Sequence, residues 1–115
     1  MPLCEIASNA QVQQDVADAF LADVESSINK LLGKPTQYIM ASLSHCAMRH
    51  NGSSQPSANV RLHSIGGINS RNNNKLCTEL SALCQKHLGV SSDRVFFQFV
   101  DTSPANFGIG SQVFG

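Results

Sequence analysis

The chain has 115 residues, which predicts a single domain over residues 1–115. Charged residues make up 14% of it, below the usual share of about 25%, so we expect an oligomer to cover part of the surface. Its 8 basic and 8 acidic residues balance, which argues against nucleic acid or an anionic membrane as a partner. No apolar run reaches the roughly 18 residues of a membrane span, and residues 1–5 lack the basic and apolar regions of a secretory signal, so we expect a cytoplasmic protein.

The four cysteines are not expected to form disulfides, because no secretory signal precedes them. Cys77 and Cys84 are seven residues apart in a helical pattern, and we expect both thiols in the core. His45, Cys46 and His50 lie close together, but their spacing matches no common zinc site, and no Cys-x-x-Cys pair exists. The sequence therefore predicts no metal and no cofactor.

The first half of the chain predicts a strand, a helix and a strand. Residues 3–7 are a short mixed segment that we interpret as a strand. From about Val12, apolar residues recur every three or four positions, which predicts an amphipathic helix that Gly33 and Pro35 end. The apolar segment from Tyr38 to Leu43 predicts the second strand.

The second half repeats this order after a polar loop at residues 50–57. Alternation over residues 60–65 predicts a strand, and a second helical pattern runs from about Ser70 to Gly89. Residues 95–100 form the fourth predicted strand, and a glycine-rich tail follows from Ser103.

The two predicted helices also end in the same way. Each ends at a Leu-Gly pair, and the two pairs lie 56 residues apart. This indicates a duplicated β-α-β unit. We therefore predict an α+β fold, a two-layer sandwich with two helices on one face of a four-stranded mixed sheet. The other face of the sheet then needs cover, which again favours an oligomer.

Pro2 is the residue whose position most clearly indicates a possible catalytic role. Aminopeptidases remove an initiator Met when the next residue is small, and the chain would then begin with a secondary amine. An α-amino group titrates near ~8, and burial or a neighbouring cation lowers its pKa further. Such an amine can act as a general base at neutral pH. Proline in second position is also common without any role, so from Pro2 alone both interpretations stay open.

Several short motifs, taken together and in order, resemble the tautomerase superfamily, in particular the macrophage migration inhibitory factor family with its relative D-dopachrome tautomerase. The resemblance covers the whole chain. The segments that carry it are Pro2, Gly33-Lys34-Pro35, Tyr38-Ile39, Asn51-Gly52-Ser53-Ser54, Leu62-His63-Ser64-Ile65-Gly66, Asp93-Arg94-Val95 and Val113-Phe114.

This resemblance implies a homotrimer with three pockets between neighbouring subunits. It implies a keto-enol tautomerase in which Pro2 acts first as base and then as acid on a small aromatic α-keto acid, such as phenylpyruvate, or on dopachrome-type compounds. Lys34 would hold a substrate oxygen and the backbone N–H of Ile65 would donate to the substrate. Without the resemblance, Lys34 is a cation after a helix and Ile65 an ordinary strand residue.

The resemblance implies four more substrate-binding residues: Tyr38 and Phe114, and, from the neighbouring subunit, Phe96 and Gln98. The chain departs from the family pattern at Phe96, where a tyrosine is usual, and at Gln98, where asparagine is frequent. Ile109 stands where the family has tryptophan. Because phenylalanine cannot donate a hydrogen bond, we expect activity that is weakened by roughly tenfold.

A cytokine-like role is the main alternative function. The family is secreted without a signal peptide and binds a cell-surface receptor, so the resemblance implies the same partner and route here. The chain could then be a cytokine mimic or host-modulating protein with a vestigial active site. The family's Cys-x-x-Cys pair is replaced by Ser57 and Val60, so we expect no thiol oxidoreductase activity.

Two other classes share the predicted order of elements. An RNA-recognition module has the same order, and residues 94–99 are similar to its aromatic strand, but the zero net charge and the lack of a basic patch argue against it. A ferredoxin-like regulatory domain is the remaining alternative.

Overall fold

A computed structural model describes all residues 1–115, and its elements follow the duplicated order. The strands of the main sheet and the two helices are β1 (Pro2–Ser8), α1 (Gln14–Leu32), β2 (Met40–His45), β3 (Ala58–Ser64), α2 (Ser70–Leu83) and β4 (Val95–Asp101). Two short strands in the tail, β5 (Gly108–Ile109) and β6 (Gln112–Val113), form a separate hairpin. None of the helices is both long and apolar enough to cross a membrane.

The four main strands lie in the order β2-β1-β3-β4. Strands β1 and β2 are parallel, as are β3 and β4, while β1 and β3 run antiparallel in the centre. Each parallel pair belongs to one β-α-β unit, and β3 starts 56 residues after β1. The predicted α+β sandwich of duplicated units on a mixed sheet is therefore confirmed.

Alternate residues of the central strands are buried beneath the helices. Cys4 and Ile6 of β1 and Val60 and Leu62 of β3 are at most 2% exposed. Both helices present an apolar stripe to this face, for example Phe20, Val24 and Ile28 of α1, all fully buried. This pattern of period two in the strands and three to four in the helices explains why the sequence folds into two layers.

The opposite side of the sheet, here called the open face, has no covering layer within the chain. It carries large apolar side chains, of which Met40 is 66%, Phe96 55% and Val100 38% exposed. Charged and polar side chains such as Glu5 and Arg61 lie between them. A mixed, partly apolar face of this kind is typical of a surface that meets another protein chain.

The predicted boundaries were wrong at several places near the first unit. Helix α1 begins at Gln14 rather than near Val12. Tyr38 lies in a short 3₁₀ turn, Thr36–Tyr38, and not in strand β2, because Pro35 and the following residues form a tight turn before the strand begins at Met40. The strand predicted over residues 60–65 spans Ala58–Ser64, so Ile65 lies just beyond its end.

The second unit also departs from prediction. The second helix ends in one π-helical turn, Cys84–Leu88, where the Gly89 N–H contacts two carbonyl oxygens. Cys84 is fully buried as predicted, and burial raises its thiol pKa to about 11, but Cys77 is only partly buried. The tail hairpin was not predicted, because strands of two residues carry no readable alternation.

Candidate functional site

Pro2 opens strand β1 at one end of the sheet, opposite Ser64 of β3. Its ring is less than 2% exposed. Beside it lies a hollow of about 220 Å³, lined mostly by apolar residues: Met1, Pro2, Leu3, Gln37, Tyr38, Ile39, Met40, Phe107, Gly108 and Ile109. Burial, and then the positive charge of Lys34, hold the pKa of the Met1 α-amino group below its usual value. The α-amino group at the start of the chain is thus partly shielded from water and lies near a cation.

The C-terminal end of helix α1 places Lys34 at this end of the sheet. Gly33 caps the helix in the left-handed conformation, with φ of 65°, and turns the chain back toward β1 and β3. The Asn29 side-chain amide donates to the Lys34 carbonyl oxygen at 2.6 Å and fixes the turn. The Lys34 ammonium then donates to the Ile65 carbonyl oxygen at 3.0 Å. Lys34 and Ile65 are therefore brought together, 31 residues apart in the sequence.

The turn after β3 completes this part of the site. Gly66 and Gly67 both have positive φ, 76° and 78°, which other residues rarely adopt. The buried Ser64 hydroxyl donates to the Gly66 carbonyl oxygen at 2.8 Å. The backbone of Ile65 is thus held in a defined turn next to Lys34, which suits it to contact a ligand.

Two aromatic side chains, Tyr38 and Phe107, line one wall of the hollow, and Phe114 packs against both of them. The rings of Tyr38 and Phe114 meet edge to face with centroids 5.8 Å apart, and Phe107 meets Phe114 at 6.2 Å. The Phe114 N–H donates to the Phe107 carbonyl oxygen at 2.9 Å, so the tail is tied back onto itself. Sequence analysis pointed to Tyr38 and Phe114 but missed Phe107, for which no motif gave a signal.

Phe96 and Gln98 are not brought to Pro2 within one subunit. Phe96 pairs with Asn59 at the far end of β3, whereas Pro2 pairs with Ser64, so the two lie roughly 16 Å apart along the sheet. The Gln98 amide nitrogen donates to Asn59 Oδ1 at 2.9 Å, and its oxygen is buried without a partner. Their part in the site therefore remains a prediction that depends on a neighbouring subunit.

The two histidines considered as metal ligands contact other groups, and Cys46 is free and exposed. His45 Nε2 lies 3.1 Å from the Asn9 carbonyl oxygen, and the His50 ring packs against Phe96 with centroids 5.0 Å apart. No group of three or more His, Cys, Asp or Glu side chains is placed to hold a metal ion.

Two charged residues near strand β4 were missed by sequence analysis as structural partners. The Arg94 guanidinium donates to the carbonyl oxygens of Ser53, Gln55 and Pro56 and to the Ser57 hydroxyl, at 3.1 to 3.3 Å. Asp101, the last residue of β4, accepts from the Gly66 N–H at 3.3 Å. Both contact loop backbone, for which the sequence carries no signal.

Fold and site together define a class: a duplicated β-α-β domain whose N-terminal strand begins with a buried proline, beside a lysine and a glycine turn. The sequence matches the family model described as "Macrophage migration inhibitory factor (MIF)" over residues 1–115. The chain belongs to the macrophage migration inhibitory factor family, which is part of the tautomerase superfamily, and the predicted family is thereby confirmed.

Individual relatives support this assignment over their full lengths. Macrophage migration inhibitory factor of Rattus norvegicus is 31% identical over 115 residues, 99% of each chain. The homolog of Brugia malayi is 30% identical and is covered completely. Among solved structures, macrophage migration inhibitory factor of Toxoplasma gondii has a TM-score of 0.95 and 39% identity, with 97% of this chain and 99% of that chain covered.

Proposed function

We propose that this chain is a keto-enol tautomerase of small aromatic α-keto acids, such as phenylpyruvate, or of dopachrome-type compounds, with the amine of Pro2 as its base once Met1 is removed. The observation that carries the proposal is the setting of the chain terminus. It is partly buried, lies beside Lys34, and adjoins a hollow with an aromatic wall. Family membership supports isomerase chemistry of this type.

The setting favours the neutral form of a terminal amine. Burial disfavours an ammonium ion, and the positive charge of Lys34 adds repulsion, so both effects lower the pKa of a terminal amine here. Pro2 lies one residue further into the strand than Met1, and its ring is already buried. A proline amine at that place would experience the same two effects, and both act in the direction that a general base requires.

The proposed reaction moves one proton. The neutral Pro2 nitrogen takes a proton from the carbon next to the keto group, and the electron pair of that C–H bond shifts so that the keto oxygen becomes an enolate oxygen. The Pro2 ammonium then gives its proton to that oxygen, which leaves the amine neutral again, and the enol departs. In the reverse direction the Pro2 ammonium gives its proton to the carbon. Lys34 and the Ile65 N–H would stabilise the negative charge on the substrate oxygens.

We also propose that the active unit is a homotrimer. The open face exposes Met40, Phe96 and Val100, and no element of the chain covers them. The predicted pocket needs Phe96 and Gln98, which one subunit holds far from its own Pro2. A neighbouring subunit that covers the open face would satisfy both requirements, and its Phe96 would complete the pocket opposite Tyr38 and Phe114.

The mass of the assembly in solution tests the trimer. Sedimentation equilibrium at micromolar concentration is expected to give about three times the mass of one chain. A Val100→Glu variant should dissociate, because it places a charge on a surface that the trimer would bury. Ser26→Glu, which adds the same charge at an exposed position of α1, is the control and should remain trimeric. A wild-type mass equal to one chain would contradict the proposal.

Two measurements on the purified wild-type protein test the activity. The mass of the mature chain should equal that of residues 2–115. The proposed mechanism requires this, because a retained Met1 would hold the Pro2 nitrogen in an amide that cannot act as a base. Phenylpyruvate should then equilibrate with its enol, followed by enol absorbance, faster than in buffer. A chain that lacks Met1 and gives no rate above buffer would rule out the tautomerase and leave the interaction protein as the better candidate.

A further inference from the structure

The peptide unit between Ile65 and Gly66 is held from both sides by opposite charges. On one side the Lys34 ammonium donates to the Ile65 carbonyl oxygen at 3.0 Å. On the other side the Asp101 carboxylate accepts from the Gly66 N–H at 3.3 Å. The dipole of a peptide has its negative end at oxygen and its positive end at the N–H, so both charges interact with it favourably. Each contact polarises the unit in the sense that strengthens the other.

This peptide unit would otherwise have several orientations open to it. Gly66 and Gly67 follow it directly, and glycine populates both halves of backbone space. A Cβ at Gly66 would meet nothing within 4 Å, so packing does not confine the turn there. Polar contacts must therefore define it, and Asp101 supplies the one on the N–H side of the Ile65–Gly66 peptide.

The strand pairing places Asp101 where it can do this. Asp101 is the last residue of β4 and lies opposite Ser64 of β3. The next residue, Thr102, donates its N–H to the Ser64 carbonyl oxygen at 2.9 Å, which continues the pairing past the end of the strand. The carboxylate thus reaches the glycine turn from a rigid sheet end rather than from a loop.

From these contacts we infer that Asp101 is a positioning residue: it orients the Ile65–Gly66 peptide and through it the Lys34 ammonium that receives the substrate's oxygens. The inference rests on the proposed function for its kinetic consequence. Asp101 makes no hydrogen bond or ion pair with Pro2 or Lys34, and the pKa of the terminal amine is lowered by burial and then by the charge of Lys34. Removal of Asp101 should therefore mainly weaken the binding of a carboxylate substrate, while the Pro2 amine and the Lys34 ammonium both remain.

Asp101→Ala tests this through a split between kinetic constants. For phenylpyruvate, KM is expected to rise by about three- to tenfold, the equivalent of one hydrogen bond lost, while kcat changes less than twofold. The pH at which the rate reaches half its plateau should shift less in Asp101→Ala than in Lys34→Met, because the ammonium itself is still present. Asp101→Asn keeps an oxygen acceptor for the Gly66 N–H and should recover most of the lost affinity. Asp18→Ala, on the exposed surface of α1, is the control.

A readout without turnover separates this inference from the proposed function. Exchange of the Gly66 amide hydrogen, followed by NMR, should accelerate in Asp101→Ala and remain slow in Asp101→Asn. Titration with 3-phenylpropanoate, a carboxylate without a keto group, should show a higher dissociation constant in Asp101→Ala than in the wild type or in Asp101→Asn. If the wild type is inactive but these two results appear, the positioning role stands and the tautomerase fails. Unchanged Gly66 exchange and unchanged binding in Asp101→Ala would overturn the inference.

Discussion

Replacing Pro2 with glycine is expected to lower the turnover of phenylpyruvate by about tenfold or more, while the assembly persists. Glycine is small enough for Met1 still to be removed, so an α-amine remains. What is lost is the ring, less than 2% exposed, whose packing fixes the nitrogen at the start of β1. Steady-state rates at saturating substrate, with the sedimentation mass measured in parallel, check this outcome.

A matched variant separates the amine from the ring. Inserting one alanine between Met1 and Pro2 leaves the ring in the strand but converts its nitrogen to an amide, which has no basic electron pair. This variant should lose all activity above buffer and keep the wild-type melting temperature within a few degrees. Turnover that survives both changes would mean that another group is the base.

The pH dependence of the wild type should identify the same group. A base works in its neutral form, so kcat/KM should rise with pH through the pKa of the amine and then level off. Burial and then Lys34 lower the pKa of the Met1 α-amino group, so for a Pro2 amine in the same setting the rise is expected at lower pH than for the same amine in water. In Lys34→Met the repulsion is absent, and the rise should move to higher pH.

The elements that could be predicted are those with long-range periodicity. Phe20, Val24 and Ile28 recur at helical spacing over an element of 19 residues, so α1 was predictable in type, although its start was two residues off. The Gly33 and Gly89 helix ends were predictable because only a left-handed residue closes a helix in this way, and both glycines do so. The separation of 56 residues between these two glycines, about half the chain length, then indicated the duplication.

The parts of the site that escaped prediction depend on contacts without periodicity. Phe107 reaches the aromatic wall through a hairpin of two-residue strands. Asp101 binds a backbone N–H, and any residue other than proline offers one, so no motif announces the contact. Phe96 and Gln98 depend on a second chain, whose position a single sequence does not encode in a readable form.

Replacing Arg94 with alanine is expected to lower the free energy of unfolding by about 2–3 kcal/mol, the largest stability effect that we predict for a polar residue here. The guanidinium fastens the loop of residues 53–57 to the start of β4 through the four contacts described above. Ser57, which shares this loop, is 4% exposed, so water does not readily replace the lost donor to its hydroxyl. Hydrogen bonds from a charged donor are also worth more than neutral ones.

Two further variants provide the controls for Arg94→Ala. Arg94→Lys keeps the charge but offers one compact ammonium in place of two directed nitrogens, Nε and Nη2, so it should recover less than half of the lost stability. Arg71→Ala, at an exposed position of α2, removes the same charge and should change stability by less than about 0.5 kcal/mol. Urea unfolding at one fixed protein concentration measures all three, because an oligomer's stability depends on concentration. Equal losses in Arg94→Ala and Arg71→Ala would show that charge, and not the fastening of the loop, is what Arg94 contributes.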